Sequence, residues 1–198
     1  MSMNVLFIVD SSLSTRDYLS LYSTTVNGIV DTYRRVPNIN LSFYTFSTGY
    51  TKWFQNFNYY DLKGIGWLNL KPDGMTALYD SLSAILTEMD DGIPRLVIIL
   101  TDGDDNRSYL STPKRIRDKM TCLQERGWKF VFLGVNVDSM SLGEYMGCDS
   151  CVMYSPTEKC FKGILDLVMD MVVTGVVSEG TIDLTSMKNA LEDLEMSM

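Results

Sequence analysis

The chain has 198 residues, 25 acidic and 17 basic, and no histidine. Its length fits one large domain, or a domain with a short tail, whose core needs no staples. A formal charge of −8 argues against nonspecific binding to nucleic acid or anionic membrane, which both need clustered Lys and Arg. The missing histidine removes imidazole acid–base chemistry, Ser–His and Cys–His dyads, and zinc sites built on imidazole.

Residues 4–9, Asn-Val-Leu-Phe-Ile-Val, run straight into Asp10, and Ser12 and Ser14 follow at alternate positions. A short apolar run rich in β-branched residues predicts a strand buried on both faces. In an open parallel sheet the carboxyl end of such a strand is where ligands bind. Asp10, Ser12 and Ser14 offer only small oxygen donors, the type a hard divalent cation prefers. A helix N-cap is the plainer explanation of an Asp or Ser there, but a cap accounts for one of the three.

Residues 15–35 carry Leu19, Tyr22, Val26, Ile29, Val30 and Tyr33 on one helical face, with Ser14 or Thr15 as cap and Pro37 and Asn38 as stop. Residues 41–46 and 51–57 predict two strands joined by the turn Ser47-Thr-Gly-Tyr50, a hairpin that places one antiparallel strand at the sheet edge. Residues 58–70 are weakly patterned and predict a loop with a short helical turn. Lys71-Pro-Asp-Gly74 feeds a helix over residues 77–89. Gly74 permits a close backbone approach, and Thr76 stands at the helix start, where a plain N-cap also fits. Residues 95–100 repeat the opening pattern: an apolar run ending in Thr101-Asp102-Gly103, although a turn Asp before Gly is common by itself.

Residues 104–111 form a polar loop. Thr112-Pro113 starts a helix that Gly127 ends, and residues 129–136 are a third buried strand. A short helix over 140–146 closes at Gly147, a last strand covers 151–154, and Ser155 and Pro156 open a long helix to about residue 174. Beyond residue 178, Leu184, Met187, Leu191 and Leu194 make a narrow heptad-like stripe flanked by acids. This predicts a short helix docked on its own domain, or one that binds a partner or itself. Cys148-Asp-Ser-Cys151 has the spacing of a redox or zinc-binding pair. A four-cysteine zinc site would need Cys122 and Cys160 to converge on it, so the expectation is ordinary thiols in a reducing compartment.

Alternating strands and helices predict a doubly wound, Rossmann-like α/β fold: a mostly parallel six-stranded sheet with one antiparallel edge strand and helices on both faces. Residues 1–177 would form this domain and residues 178–198 an acidic tail with a short amphipathic helix. No apolar run is long enough to span a bilayer, and Met-Ser-Met-Asn leads into the first strand without a basic region or signal core. A cytoplasmic location is expected, in the host cytoplasm if the source is viral.

Three segments thus bring oxygen donors to one sheet edge: Asp10, Ser12 and Ser14; Thr76; and Asp102. Two carboxylates 4 Å apart repel by about 4 kcal/mol at an effective dielectric near 20, which a dication relieves. The ordered set Asp10-x-Ser12-x-Ser14, Thr76 and Thr101-Asp102-Gly103 resembles the metal-ion-dependent adhesion site (MIDAS) of von Willebrand factor A (vWA) domains, over residues 4 to about 175. Gly74-Met-Thr-Ala-Leu-Tyr-Asp-Ser-Leu and Trp128-Lys-Phe-Val-Phe-Leu-Gly-Val-Asn-Val-Asp are similar to segments of the cytoplasmic bacterial and phage members. The chain departs from the pattern at Leu13, where the family usually has Gly, and Arg16 follows closely.

The resemblance implies that Asp10, Ser12, Ser14, Thr76 and Asp102 surround one Mg²⁺, with Mn²⁺ or Ca²⁺ as substitutes. It implies no catalysis but an intracellular or viral interaction module, in which a partner protein's Asp or Glu completes the metal sphere. Neither nucleic acid nor membrane is an expected partner, and the oligomeric state stays open. The alternatives are a structural subunit that uses other surfaces, such as the aromatic region 50–60 or the tail, and a metal-dependent hydrolase acting through Asp10 and Asp102.

Overall fold

The computed structural model describes residues 2–102, 105–135 and 137–153, with isolated positions 157, 163 and 166. Apart from those positions, the predicted helix from Ser155 and the tail from residue 178 lie outside the described residues. A six-stranded sheet runs in the order β3-β2-β1-β4-β5-β6. The strands are β1 (Met3–Asp10), β2 (Ile39–Phe46), β3 (Tyr50–Asn58), β4 (Leu96–Thr101), β5 (Lys129–Gly134) and β6 (Ser150–Met153). All neighbours pair in parallel except β2 and β3, so the predicted hairpin supplies the antiparallel edge.

Alternate residues of each central strand enter opposite cores, which is why these strands read as continuous apolar runs. Val5, Phe7 and Val9 of β1 join Leu96, Ile98 and Leu100 of β4 beneath α1 (Leu19–Tyr33). Leu6 and Ile8 join Val97 and Ile99 on the other face. There they meet α3 (Leu78–Glu88), α4 (Pro113–Gln124) and the end of α5 (Val137–Met146). Tyr22, Val26, Ile29, Val30 and Tyr33 are buried, as the helical spacing requires. Among the described residues no helix is long and apolar enough to cross a membrane.

Several boundaries differ for local reasons. The helix predicted from residue 15 opens instead with a 3-10 turn, Leu13–Tyr18. The Ser12 carbonyl accepts from both the Thr15 N–H (3.1 Å) and the Thr15 hydroxyl (2.8 Å), and such i→i+3 bonding tightens a helix start. Thr15 is therefore spent on Ser12, and neither it nor Ser14 caps α1. The expected short turn after β3 is α2 (Tyr59–Leu62), held by a capping box between Asn58 and Asp61. The N-cap of α3 is Ala77, without a side-chain cap bond, so Thr76 is not the cap. Thr112 does cap α4, its hydroxyl accepting from the Arg115 N–H.

The chain leaves β1 toward β2 and β3, then returns to lay β4 on the other side of β1. The carboxyl ends of β1 and β4 thus flank the topological switch point, the crevice where open α/β sheets place ligands.

Candidate metal centre

Asp10 ends β1 and Thr101 ends β4, side by side at that crevice. Asp10 is fully buried and Asp102, one residue past β4, is 8% exposed. One Asp10 oxygen accepts from the Ser12 N–H (2.8 Å) and the other from the Thr101 hydroxyl (2.7 Å). The Ser12 and Ser14 hydroxyls are 2.7 Å apart, and Ser14 donates to an Asp102 oxygen at 2.9 Å. Four of the five predicted residues therefore form one hydrogen-bonded string across the ends of two neighbouring strands.

The fifth, Thr76, is brought to the same loop by its backbone. The Leu13 N–H donates to the Gly74 carbonyl (3.1 Å) and the Asp73 N–H to the Ser11 carbonyl (2.9 Å). This close approach uses Gly74 at a φ of +68°, where an added Cβ would overlap Thr48 Oγ1. Thr76 itself is buried. Its N–H donates to Asn106 Oδ1 (2.9 Å), and its carbonyl accepts from the Asn106 and Arg107 N–H groups (3.0 and 3.1 Å).

Burial pushes the Asp10 carboxyl up to about 6 against its hydrogen bonds to Thr101 and Ser12, and the like charge of Asp102 adds to the rise. A buried carboxylate facing a second one is costly without a cation. The Asp10 and Asp102 carboxylates and the Ser12 and Ser14 hydroxyls, with Thr76 on the adjoining segment, are all hard oxygens of the kind a divalent cation takes. Leu13 is 47% exposed and Arg16 is also exposed, as is Ser14, so the two departures from the vWA pattern stand on the side where the cluster opens to solvent.

Two supports escaped the sequence reading. Thr101 lay within the quoted Thr-Asp-Gly, and the strand pairing of β1 with β4 is what turns it toward Asp10. Asn106 sits in a polar loop with no pattern, and only the folded contact with Thr76 distinguishes it. That loop is in turn lashed to α3: Asp105 accepts from the Tyr79 N–H (3.0 Å), and Asp80 accepts from the Tyr109, Leu110 and Ser111 N–H groups (3.0, 3.0 and 2.7 Å).

Solved structures of similar fold include proximal thread matrix protein 1 from the mussel byssus "with zinc occupied MIDAS motif" (19% identity, TM-score 0.60, 84% of this chain and 46% of that one). The PilB minor pilin of Streptococcus sanguinis is similar at 15% identity and TM-score 0.61, over 87% of this chain and 61% of that one. The ArnB paralog VWA2 of Sulfolobus acidocaldarius is similar at 17% identity and TM-score 0.62, over 84% and 45%. This chain spans about half the length of the mussel and Sulfolobus chains and under two thirds of the pilin. At these identities the likeness is one of fold. No curated protein sequence matches. The von Willebrand factor type A domain family model matches residues 4–162, and the chain belongs to that family.

Proposed function

We propose that this protein is a metal-dependent interaction module that holds Mg²⁺ among Asp10, Ser12, Ser14, Thr76 and Asp102 and captures an acidic side chain of a partner protein. The observation that carries the reading is the string Ser12–Ser14–Asp102 beside buried Asp10. It gathers small oxygen donors from two strand ends with an excess of negative charge at its centre. A bound dication would supply the positive charge that the two carboxylates lack and attract an external carboxylate. The protein's own part is to keep the donors in place. Thr101 and the Ser12 N–H orient Asp10, Ser14 bridges to Asp102, and Asn106 fixes the backbone of Thr76. Neutral hydroxyls in the donor set leave the ion most of its charge for that external ligand.

Mg²⁺ is preferred over Mn²⁺ or Ca²⁺ on the small, all-oxygen donor set. The partner is a protein offering Asp or Glu, the setting is a multiprotein assembly, and the location is cytoplasmic. The non-catalytic reading follows the family, whose structural neighbours include a matrix protein and a minor pilin.

Titration of Mn²⁺, followed by its paramagnetic signal, tests the site directly. Saturable binding by the wild type that Asp10→Ala or Asp102→Ala weakens at least tenfold is expected. Retention of the partner on the immobilised full chain should then fall in EDTA and return with Mg²⁺. Absence of saturable divalent binding, or equal retention with and without EDTA, overturns the reading in favour of a structural subunit that uses other surfaces.

A further inference from the structure

A second chemically competent group lies at the far edge of the sheet from β3, where α5 turns into β6. After Met146 the chain reverses at Gly147, whose φ is +81°. The Cys148 N–H then donates to the Gly143 carbonyl at 3.1 Å. Asp149, between the cysteines, is pinned at four points. Its N–H donates to the Phe130 carbonyl (2.9 Å), and its carboxylate accepts from the Phe130 N–H (2.8 Å), Gln124 Nε2 (2.9 Å) and Lys129 Nζ (3.2 Å). Cys151 follows on β6, opposite Phe132 of β5.

Both cysteines converge on one residue. Cys148 is bonded to the Gly143 carbonyl, and a Cβ placed on Gly143 would lie 2.9 Å from Cys151 Sγ and 2.6 Å from the Phe132 ring. The glycine thus leaves room for the Cys151 sulfur, while its carbonyl holds the backbone of Cys148 beside it. Both are free thiols, half-buried against the same core. The two thiols act on each other. That interaction, with burial, pushes Cys148 well up, and it holds Cys151 below the ordinary thiol range. Such asymmetry separates an attacking sulfur from a resolving one. Two thiolates make half a tetrahedral zinc site, and among the described residues no metal-binding group of three or more His, Cys, Asp or Glu forms.

We propose that Cys148 and Cys151 form a thiol–disulfide pair that closes by exchange with a small-molecule disulfide of the glutathione class. Cys151 as thiolate attacks one sulfur of the oxidant, forming a mixed disulfide and releasing one small thiolate. Cys148 loses its proton to solvent and attacks Cys151 Sγ, forming the internal bond and releasing the second small thiolate. Two protein thiols are oxidised by two electrons, and the oxidant is reduced to two thiols. Closure ties the end of α5 to the edge strand β6. This proposal is independent of the metal site.

The sequence makes the test direct. Trypsin cleavage at Lys129 and Lys159 yields one peptide, residues 130–159, that contains Cys148 and Cys151 but neither Cys122 nor Cys160. The full chain is incubated with oxidised glutathione, remaining thiols are alkylated without reduction, and the digest is weighed. The expected peptide has lost two hydrogens and carries no alkyl group. In Cys148→Ser the same peptide should retain one glutathione, because the resolving sulfur is gone. A wild-type peptide that stays doubly alkylated, or keeps glutathione without closing, overturns the proposal, as does a Cys148→Ser peptide that takes up no glutathione.

Discussion

Asp10 concentrates the electrostatics of the site in one side chain. Its folded pKa of about 6 lies above the ordinary 3.8 because burial disfavours the anion. The folded state therefore holds the extra proton between those values. The stability of the neutral acid is fully present below about pH 4 and is lost as pH rises through about 6. The displacement corresponds to about 3 kcal/mol. A divalent ion binds the opposite form, so it competes with the proton. Thermal unfolding with and without Mg²⁺ should show a clear rise in midpoint at about pH 7 that fades below about pH 6; an equal rise at about pH 5 would remove Asp10 from the ligand set. Gly74 is the second sensitive residue. Gly74→Ala combines a left-handed φ with overlap on Thr48 Oγ1, and Thr48 cannot simply withdraw because its Oγ1 accepts from the Met75 N–H (3.0 Å). A loss of about 1–3 kcal/mol in denaturant unfolding is expected, together with weaker Mn²⁺ binding, because the segment that carries Thr76 must lift from the serine loop.

The elements matter to the site chiefly through how α3 fastens the loop after β4. Asp80, in the first turn of α3, accepts three consecutive backbone N–H groups. Tyr109 and Leu110 are exposed, so water can replace Asp80 for them, whereas Ser111 is buried. Asp80→Ala should therefore cost about 1–3 kcal/mol, the penalty of one orphaned buried donor rather than three. It should also speed chymotryptic cleavage at Tyr109; unchanged cleavage would show that the loop does not depend on this clamp. The strands themselves were legible from residues 4–9, 95–100 and 129–136 because burial on both faces writes an unbroken apolar run. The five oxygen-bearing positions stood out in sequence because they follow an apolar strand run or precede a helical one, in the segments after β1 and β4 and before α3. The plain N-cap remained an alternative for Thr76 until the fold gave that place to Ala77, because hydroxyl chemistry at a helix start looks the same in sequence whether it serves the helix or a neighbouring loop. Thr101 and Asn106 act across chain separations of 91 and 30 residues, and no local pattern records a contact of that range.

At the scale of the molecule, the question is whether the domain needs the residues beyond it. The family match ends at residue 162. Among the described residues, the two cores draw on every strand and on α1 to α5. Residues 178–198 carry the stripe of Leu184, Met187, Leu191 and Leu194, which the sequence offers either to its own domain or to a partner. Truncation after residue 177 separates the two roles. A stripe docked on the domain removes apolar surface from water, at about 25 cal/mol per Å², so its loss should lower the unfolding free energy by several kcal/mol. A stripe reserved for another chain contributes nothing to the isolated domain. We expect the second result: an unfolding midpoint within about 2 °C of the full chain, which for a domain of this size means at most about 1 kcal/mol, and unchanged Mn²⁺ affinity. Sedimentation and partner retention in Mg²⁺ then show what the tail holds. A large fall in midpoint would place the stripe within the domain's own core and extend the folded unit to the end of the chain.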